Sequence, residues 1–85
     1  MNPHRLKIKL FGPQAKAIGS PMVCVNVAAD TVSCAALRQA LADQHPMLAT
    51  SLAVSRFAVN CAFVPEDALV CESAEIALIG AVSGG

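Results

Sequence analysis

The sequence has no cluster of lysine and arginine, no net charge and no long apolar run. Six basic residues balance six acidic ones across 85 residues, which leaves no electrostatic footprint for nucleic acid or an anionic membrane surface. A membrane-spanning helix needs about 20 consecutive apolar residues, and none is present. Met1 to Arg5 lead straight into an alternating segment. No secretory leader is therefore expected, and the chain is read as cytoplasmic. The four cysteines, Cys24, Cys34, Cys61 and Cys71, are nowhere closer than ten residues. That spacing excludes the usual zinc-knuckle, thioredoxin-type and iron–sulfur motifs, and no metal site is expected. In a reducing compartment the cysteines should be free and should act as small buried hydrophobes. There is no repeat, linker, low-complexity segment, phosphate-binding loop or candidate acid–base pair.

Apolar residues make up 55% of the chain and charged residues only 14%, against about 25% charged in an average domain. The chain is too apolar to be disordered and long enough for one domain around one core. Sixteen alanines account for part of the excess. The remainder should leave apolar surface on a lone copy, which implies a partner that covers it.

Residues 5–11 alternate, with Leu6, Ile8 and Leu10 on one face and Arg5, Lys7 and Lys9 on the other, the pattern of a half-buried strand. Gly12-Pro13 should end it, with a loop over 13–20 holding a short turn at Gln14 to Ile18. Residues 22–27 should form a second strand burying Val23, Val25 and Val27, antiparallel to the first. A helix should follow, with Thr31 as N-cap and Val32, Leu37 and Leu41 as its apolar stripe. Pro46 sets its end near His45, and His45 is read as a structural residue at the helix terminus. Over 47–55 a loop or short turn should pack Met47, Leu48 and Leu52 inward. Residues 57–60 form a third strand, Asn60-Cys61 a tight turn, and 62–64 a short return strand. Leu69-Val70 should pack back into the core. Residues 75–79 make the last strand, with Ile76 and Leu78 on the core face.

The order β-β-α-β-β-β predicts an α+β fold of the ubiquitin-like β-grasp type. In it a mixed sheet of four or five strands is covered by one main helix, with the first and last strands parallel neighbours in the middle. The domain is expected over 1–79, followed by an extended Gly-Gly tail over 80–85. The tail is too small and too glycine-rich to pack. Gly84 and Gly85 suit passage of a carboxylate through a narrow channel, because backbone without side chains can be approached on all sides. Ordering six residues costs on the order of 6–12 kcal/mol, which contacts with a partner must offset. Val82, Ile79 and Phe57 are the residues expected to make them.

The final stretch Glu75-Ile-Ala-Leu-Ile-Gly-Ala-Val-Ser-Gly-Gly85 resembles the end of the small subunit of molybdopterin synthase, the MoaD-like sulfur carriers, which typically close on "PPVSGG". Leu6 to Gly12 resembles the first strand of that family. Thr31-Val32, Leu37, Leu41 and Pro46 fit its helix, and Phe57 to Asn60 fits its hairpin strand. Gly80-Ala81 stands where the family usually has Pro-Pro, which makes this tail less stiff. Cys71 to Ala74 replaces the usual acidic turn.

The resemblance implies that the Gly85 carboxylate is adenylated by an E1-like adenylyltransferase using ATP and Mg²⁺. A sulfur donor protein then converts it to a thiocarboxylate. Val82, Ser83 and Gly84 would enter the large subunit of molybdopterin synthase, in a heterotetramer of two small and two large subunits. There the sulfur passes to cyclic pyranopterin monophosphate in molybdenum cofactor biosynthesis. The chain would bind no cofactor itself and would not be catalytic alone. The large subunit would supply acid–base groups. Other readings share the tail: a thiamine-type sulfur carrier, a protein modifier joined to lysine through Gly85, or a β-grasp binding module whose tail is inert.

Overall fold

The computed structural model describes residues 4–80. The alternation at the start of the chain yields strand β1 (His4–Lys9), paired antiparallel with β2 (Met22–Val27) in the register Leu6↔Val25 and Ile8↔Val23. The connection is longer and more ordered than a loop with a short turn. Gly12–Ile18 is a helix, α1, with Pro13 in its first turn, where a missing N–H goes unmissed. Gly19 closes it in the left-handed conformation at φ 83°, its N–H donating to the Ala15 carbonyl over 2.8 Å. Seven residues are too few for periodicity to show, so Gly12-Pro13 reads as a stop when it is a start.

The main helix, α2 (Cys34–Gln44), begins two residues later than expected. Thr31–Ser33 forms a short strand, β3, against β6 (Leu69–Cys71), and Val32 lies half-buried there opposite Val70. Ser33 caps the helix, its Oγ accepting from the Ala36 N–H at 3.1 Å. The first-turn amides of Cys34 and Ala35 donate to the carbonyls of Ala68 and Glu66, both at 2.9 Å. Either Thr31 or Ser33 can cap a helix by residue type. The β3–β6 pairing decides between them, because it draws 31–33 into extended backbone. The far end is where Pro46 sets it. His45 follows the last helical residue, and its Nε2 lies 2.9 Å from the Cys24 carbonyl oxygen. Beside it the Gln44 amide accepts from the Asn26 N–H at 2.8 Å and donates to the Asn26 carbonyl at 2.7 Å.

A 3-10 turn (Pro46–Leu48) and a four-residue helix, α3 (Ala49–Leu52), lead to β4 (Arg56–Val59) and β5 (Ala62–Phe63). Asn60 and Cys61 both take positive φ, 51° and 70°, as a two-residue hairpin turn requires. The last strand, β7 (Ile76–Ile79), lies between β1 and β4, parallel to the first and antiparallel to the second. The sheet order is β2-β1-β7-β4-β5: a mixed five-stranded β-grasp sheet with α2 across one face.

The core lies between that face and the helices. Leu6, Ile8, Val25, Phe57, Ile76 and Leu78 from the sheet meet Leu37 and Leu41 of α2, with Leu48 and Leu52 closing one end. Phe57, expected as a partner contact, is 0% exposed. It stands on the inner face of β4, opposite Leu78 in register, and cannot reach a partner. Two further residues expected inside are outside: Met47 is 64% exposed and Leu69 69%. Each adjoins a residue that packs in its place, Leu48 and Val70.

Arg38 ties the helix to this core from outside. Its guanidinium grips Glu66 through two hydrogen bonds of 2.9 and 2.6 Å, donates to the Leu52 carbonyl, and lies 5.2 Å from the Phe57 ring centroid. The hydrogen bonds from Arg38 hold the Glu66 carboxyl below the ordinary carboxylate range. A carboxylate with a depressed folded pKa contributes stability that is full above its unfolded pKa and lost as pH falls through the folded value.

Two outcomes follow. Phe57→Ala should lower unfolding free energy by about 3–5 kcal/mol in a urea titration. Between pH 7 and about pH 3 the wild type should lose more thermal stability than Glu66→Gln, which has no carboxylate to protonate there.

Candidate functional site

The site expected from the sequence is the tail together with the surface from which it leaves. Val82, Ser83, Gly84 and Gly85 lie outside the described residues. Ile79 and Gly80 lie within them, and both are half-buried at the end of the central strand β7. Ile79 stands on the outer face of the sheet, the side away from α2.

That outer face can be built from the register. Pairing aligns Met22 with Lys9, Lys9 with Ala77, Ala77 with Ala58, and Ala58 with Phe63. One row across the sheet therefore reads Met, Lys, Ala, Ala, Phe. The next places Arg56 beside Ile79. The alanines leave a shallow groove of about 340 Å³ between the larger side chains at its ends. Phe11, Phe63 and Met22 are exposed by 53%, 54% and 39%, a patch that isolated small domains rarely leave open. Lys9 interrupts the row between Met22 and Ala77, and it and Glu75 line the groove. Lys9 pairs with Glu75 at 2.5 Å. Their hydrogen bond raises the lysine pKa and lowers that of the carboxyl. The Arg56 guanidinium lies 4.4 Å from the Phe63 ring centroid, which keeps the ring fixed by cation–π attraction.

A second groove lies on the other side of Ile79 and Gly80, between α1 and α3. Phe11, Pro13, Val54 and Ile79 make it apolar, with Gln14 and Ser51 at its floor. Gln14 is 4% exposed, and its Nε2 donates to Ser51 Oγ at 3.1 Å and Ser55 Oγ at 2.8 Å. Its Oε1 is buried and has no partner among the described residues. A buried amide oxygen without a donor is destabilising by about 1–3 kcal/mol.

Sequence reasoning found the strand that ends at Ile79 and, by alternation, the outward side of Lys9 and Ala77, but missed the rest of this surface. Phe63 belongs to a two-residue strand and Phe11 to a strand–helix junction, where no pattern marks the exposed side. Gln14 carried no signal at all.

The sequence profile of the ThiS family matches residues 8–85, the whole chain but its first seven residues. The chain belongs to the ThiS family. Its fold is shared with several solved structures. Small archaeal modifier protein 1 (SAMP1) from Haloferax volcanii matches at 25% identity with a TM-score of 0.75, over 95% of this chain and 99% of that one. SAMP1 from Methanosarcina acetivorans matches at 19% identity and a TM-score of 0.72, over the full length of both chains. A putative molybdopterin converting factor subunit 1 from Pyrococcus furiosus matches at 15% identity and a TM-score of 0.76, over 93% of this chain and 99% of that one. No curated relative matches. The fold of this ThiS-family chain is thus that of the ubiquitin-like sulfur carriers, and among its described residues no helix is long and apolar enough to cross a membrane.

The cysteines do not share one environment. All four are free, but only Cys34 is buried. Cys24 and Cys61 are exposed, and Cys71 is half-buried. Burial pushes the Cys34 thiol up, whereas a hydrogen bond from Ser73 lowers that of Cys71. Period-two reasoning had already turned Cys24 outward. Cys61 is outside because the hairpin turn is. Iodoacetamide at neutral pH should therefore alkylate Cys24, Cys61 and Cys71 in the native protein. Cys34 should react only after denaturant is added, as read by peptide mass.

Proposed function

We propose that this ThiS-family protein is the sulfur-carrier subunit of molybdopterin synthase. One observation carries the reading: the central strand of the sheet, β7, ends at Ile79 beside an exposed apolar face, and the sequence closes six residues later on Val82-Ser83-Gly84-Gly85. The tail supplies the reacting carboxylate and the face supplies the contact area that must offset the tail's ordering.

A carboxylate is ionised at neutral pH and is a poor electrophile. Activation therefore comes first. The Gly85 carboxylate attacks the α-phosphorus of ATP, bound with Mg²⁺ by an E1-like adenylyltransferase, and pyrophosphate leaves. Hydrosulfide delivered by a donor protein then attacks the acyl carbon and displaces AMP. The resulting thiocarboxylate carries its charge on sulfur, which makes the terminus a nucleophile. Inserted into the large subunit, that sulfur bonds to cyclic pyranopterin monophosphate, and water hydrolyses the acyl–sulfur bond, leaving the sulfur on the pterin and a carboxylate at Gly85. Gly84 and Gly85 keep the approach slender, with Val82 and Ser83 seating the tail behind them. Phe11, Phe63, Met22 and Ile79 form the docking face, and the Lys9–Glu75 pair within it and Arg56 beside it set its orientation.

A second reading is favoured by the resemblance to SAMP1, whose name describes it as a modifier. The same adenylate could pass Gly85 to a lysine amine and form an isopeptide bond. A thiamine-type carrier uses the same thiocarboxylate for a different acceptor.

The deciding experiment is the intact mass of the chain after incubation with ATP, Mg²⁺, an E1-like enzyme active on a known carrier, and a sulfur source. Replacement of one terminal oxygen by sulfur is expected, and deletion of Gly85 should abolish it. Subsequent loss of that sulfur to the pterin, in the presence of the large subunit, identifies the pathway. An unchanged mass overturns the carrier reading. A ladder of conjugates in extract gives the modifier.

A further inference from the structure

Charge is not spread evenly over this neutral chain. Alternation puts Arg5, Lys7 and Lys9 of β1 on the outer face of the sheet, and register puts Arg56 there beside Ile79. All four are exposed, so four of the six basic residues stand on one face. Of the six carboxylates only Glu75 joins them, against Lys9. Asp43 is on α2, and Glu66 is held by Arg38 of that helix, with Asp67 next to it in sequence. Asp30 and Glu72 flank the Thr31–Cys71 end of the β3–β6 pair. There Glu72 is taken up by His4 at 3.7 Å and by the Arg5 backbone N–H at 3.3 Å. The side chains of the outer face thus carry +3 and those of the rest of the chain −3, which together give the zero net charge.

The cations without a counter-charge are Arg5, Lys7 and Arg56, whose side chains enter no ion pair among the described residues. Arg56 lies over the Phe63 ring, a contact that leaves its charge in place. Their positions bracket the alanine groove. The row through Lys7 and Cys24 lies on one side of the row through Ala77 and Ala58, and the row through Ile79 and Arg56 lies on the other. Strands β1 and β4 are separated only by β7, a span of about 10 Å, so one element of a partner can meet both ends. An apolar floor between charged flanks is the layout of a protein interface. A groove for nucleic acid would carry cations along its length to track the phosphates. Here Ala58, Ala77 and Ile79 occupy that line.

We propose that this face takes a protein partner whose contact surface is an apolar projection flanked by carboxylates. The projection fills the alanine groove, and the carboxylates meet Arg5 and Lys7 at one end and Arg56 at the other. The apolar contact holds the complex, while the three cations steer the encounter and fix its orientation. The acidic remainder of the chain, on α2 and the turns beside it, repels the same partner and confines docking to one side. That the partner is the activating enzyme rests on the sulfur-carrier reading; the charge layout does not.

Stopped-flow association of the full chain with the E1-like enzyme of the mass experiment tests it. The association rate constant should fall about tenfold or more between roughly 20 and 300 mM salt. Arg5→Gln, Lys7→Gln and Arg56→Gln together should slow association about tenfold at low salt, remove most of the salt dependence and leave dissociation within about twofold. Lys16→Gln, which removes a cation from α1 instead, should change neither rate. A wild-type rate indifferent to salt, or a triple variant that associates as the wild type does, overturns the proposal. A second probe needs no enzyme. In ¹⁵N spectra, a short synthetic peptide of leucine and phenylalanine flanked by glutamates should shift the Lys7, Ala77 and Phe63 amides, and its lysine-flanked counterpart should not. An equal response to both peptides, or to neither, overturns the proposal. So does a larger response of the same amides to single-stranded DNA, which would make the face a nucleic-acid surface. If the peptides behave as expected but no thiocarboxylate forms, the carrier reading fails and the docking chemistry stands. A thiocarboxylate formed at rates blind to these charges gives the reverse.

Discussion

The parallel pairing of β1 with β7, through Ile8↔Ile76 and Lys9↔Ala77, is the contact on which the rest of the molecule depends. Parallel neighbours cannot be joined by a tight turn, and here nearly the whole chain lies between them. Every other element is part of that return. The α2 helix crosses one face, the β4–β5 hairpin builds the far side, and β3–β6 fastens the helix start to the loop before the last strand. Once β7 is seated, its C-terminal end at Ile79 stands in the middle of the sheet, between two apolar grooves.

The same pairing sorts the side chains. Leu6, Ile8, Ile76 and Leu78 go to the core, while Lys9, Ala77 and Ile79 go to the open face. Small alanines in the middle of that face and large side chains at its margin make it concave. With only 14% of residues charged, the groove in this surface carries few ions, and the Lys9–Glu75 pair that lines it is mutually neutralised.

The strands that alternate were legible from the residues: Arg5 to Lys9, Val23 to Val27 and Ile76 to Ile79 all face as their period requires. The Asn60-Cys61 turn was legible from the tolerance of Asn for positive φ, and the helix end from Pro46. Long-range pairing decided what was not. Thr31 and Ser33 are equivalent caps until β6 claims the former. Phe57 looks like an exposed aromatic on a short strand until its register with Leu78 turns it inward. Met47 and Leu48 are indistinguishable until the 3-10 turn separates them. The expected tail, from Ala81 on, lies outside the described residues. The grooves beside Ile79 were not legible, since each is assembled from residues far apart in sequence, as when Gln14 meets Ser51 and Ser55.

The two outer strands of the sheet differ in how they end it. On one side β5 is only two residues long. On the other, Gln44 occupies both the N–H and the C=O of Asn26, and His45 takes the neighbouring Cys24 carbonyl. The end of α2 thus does at β2 what another strand would do, and neither margin offers a long row of free backbone groups. A chain with this much exposed apolar surface is at risk of stacking edge to edge into fibrils. Here that route is closed by a helix terminus, so self-association through added strands is disfavoured and the sticky surface is left for specific recognition.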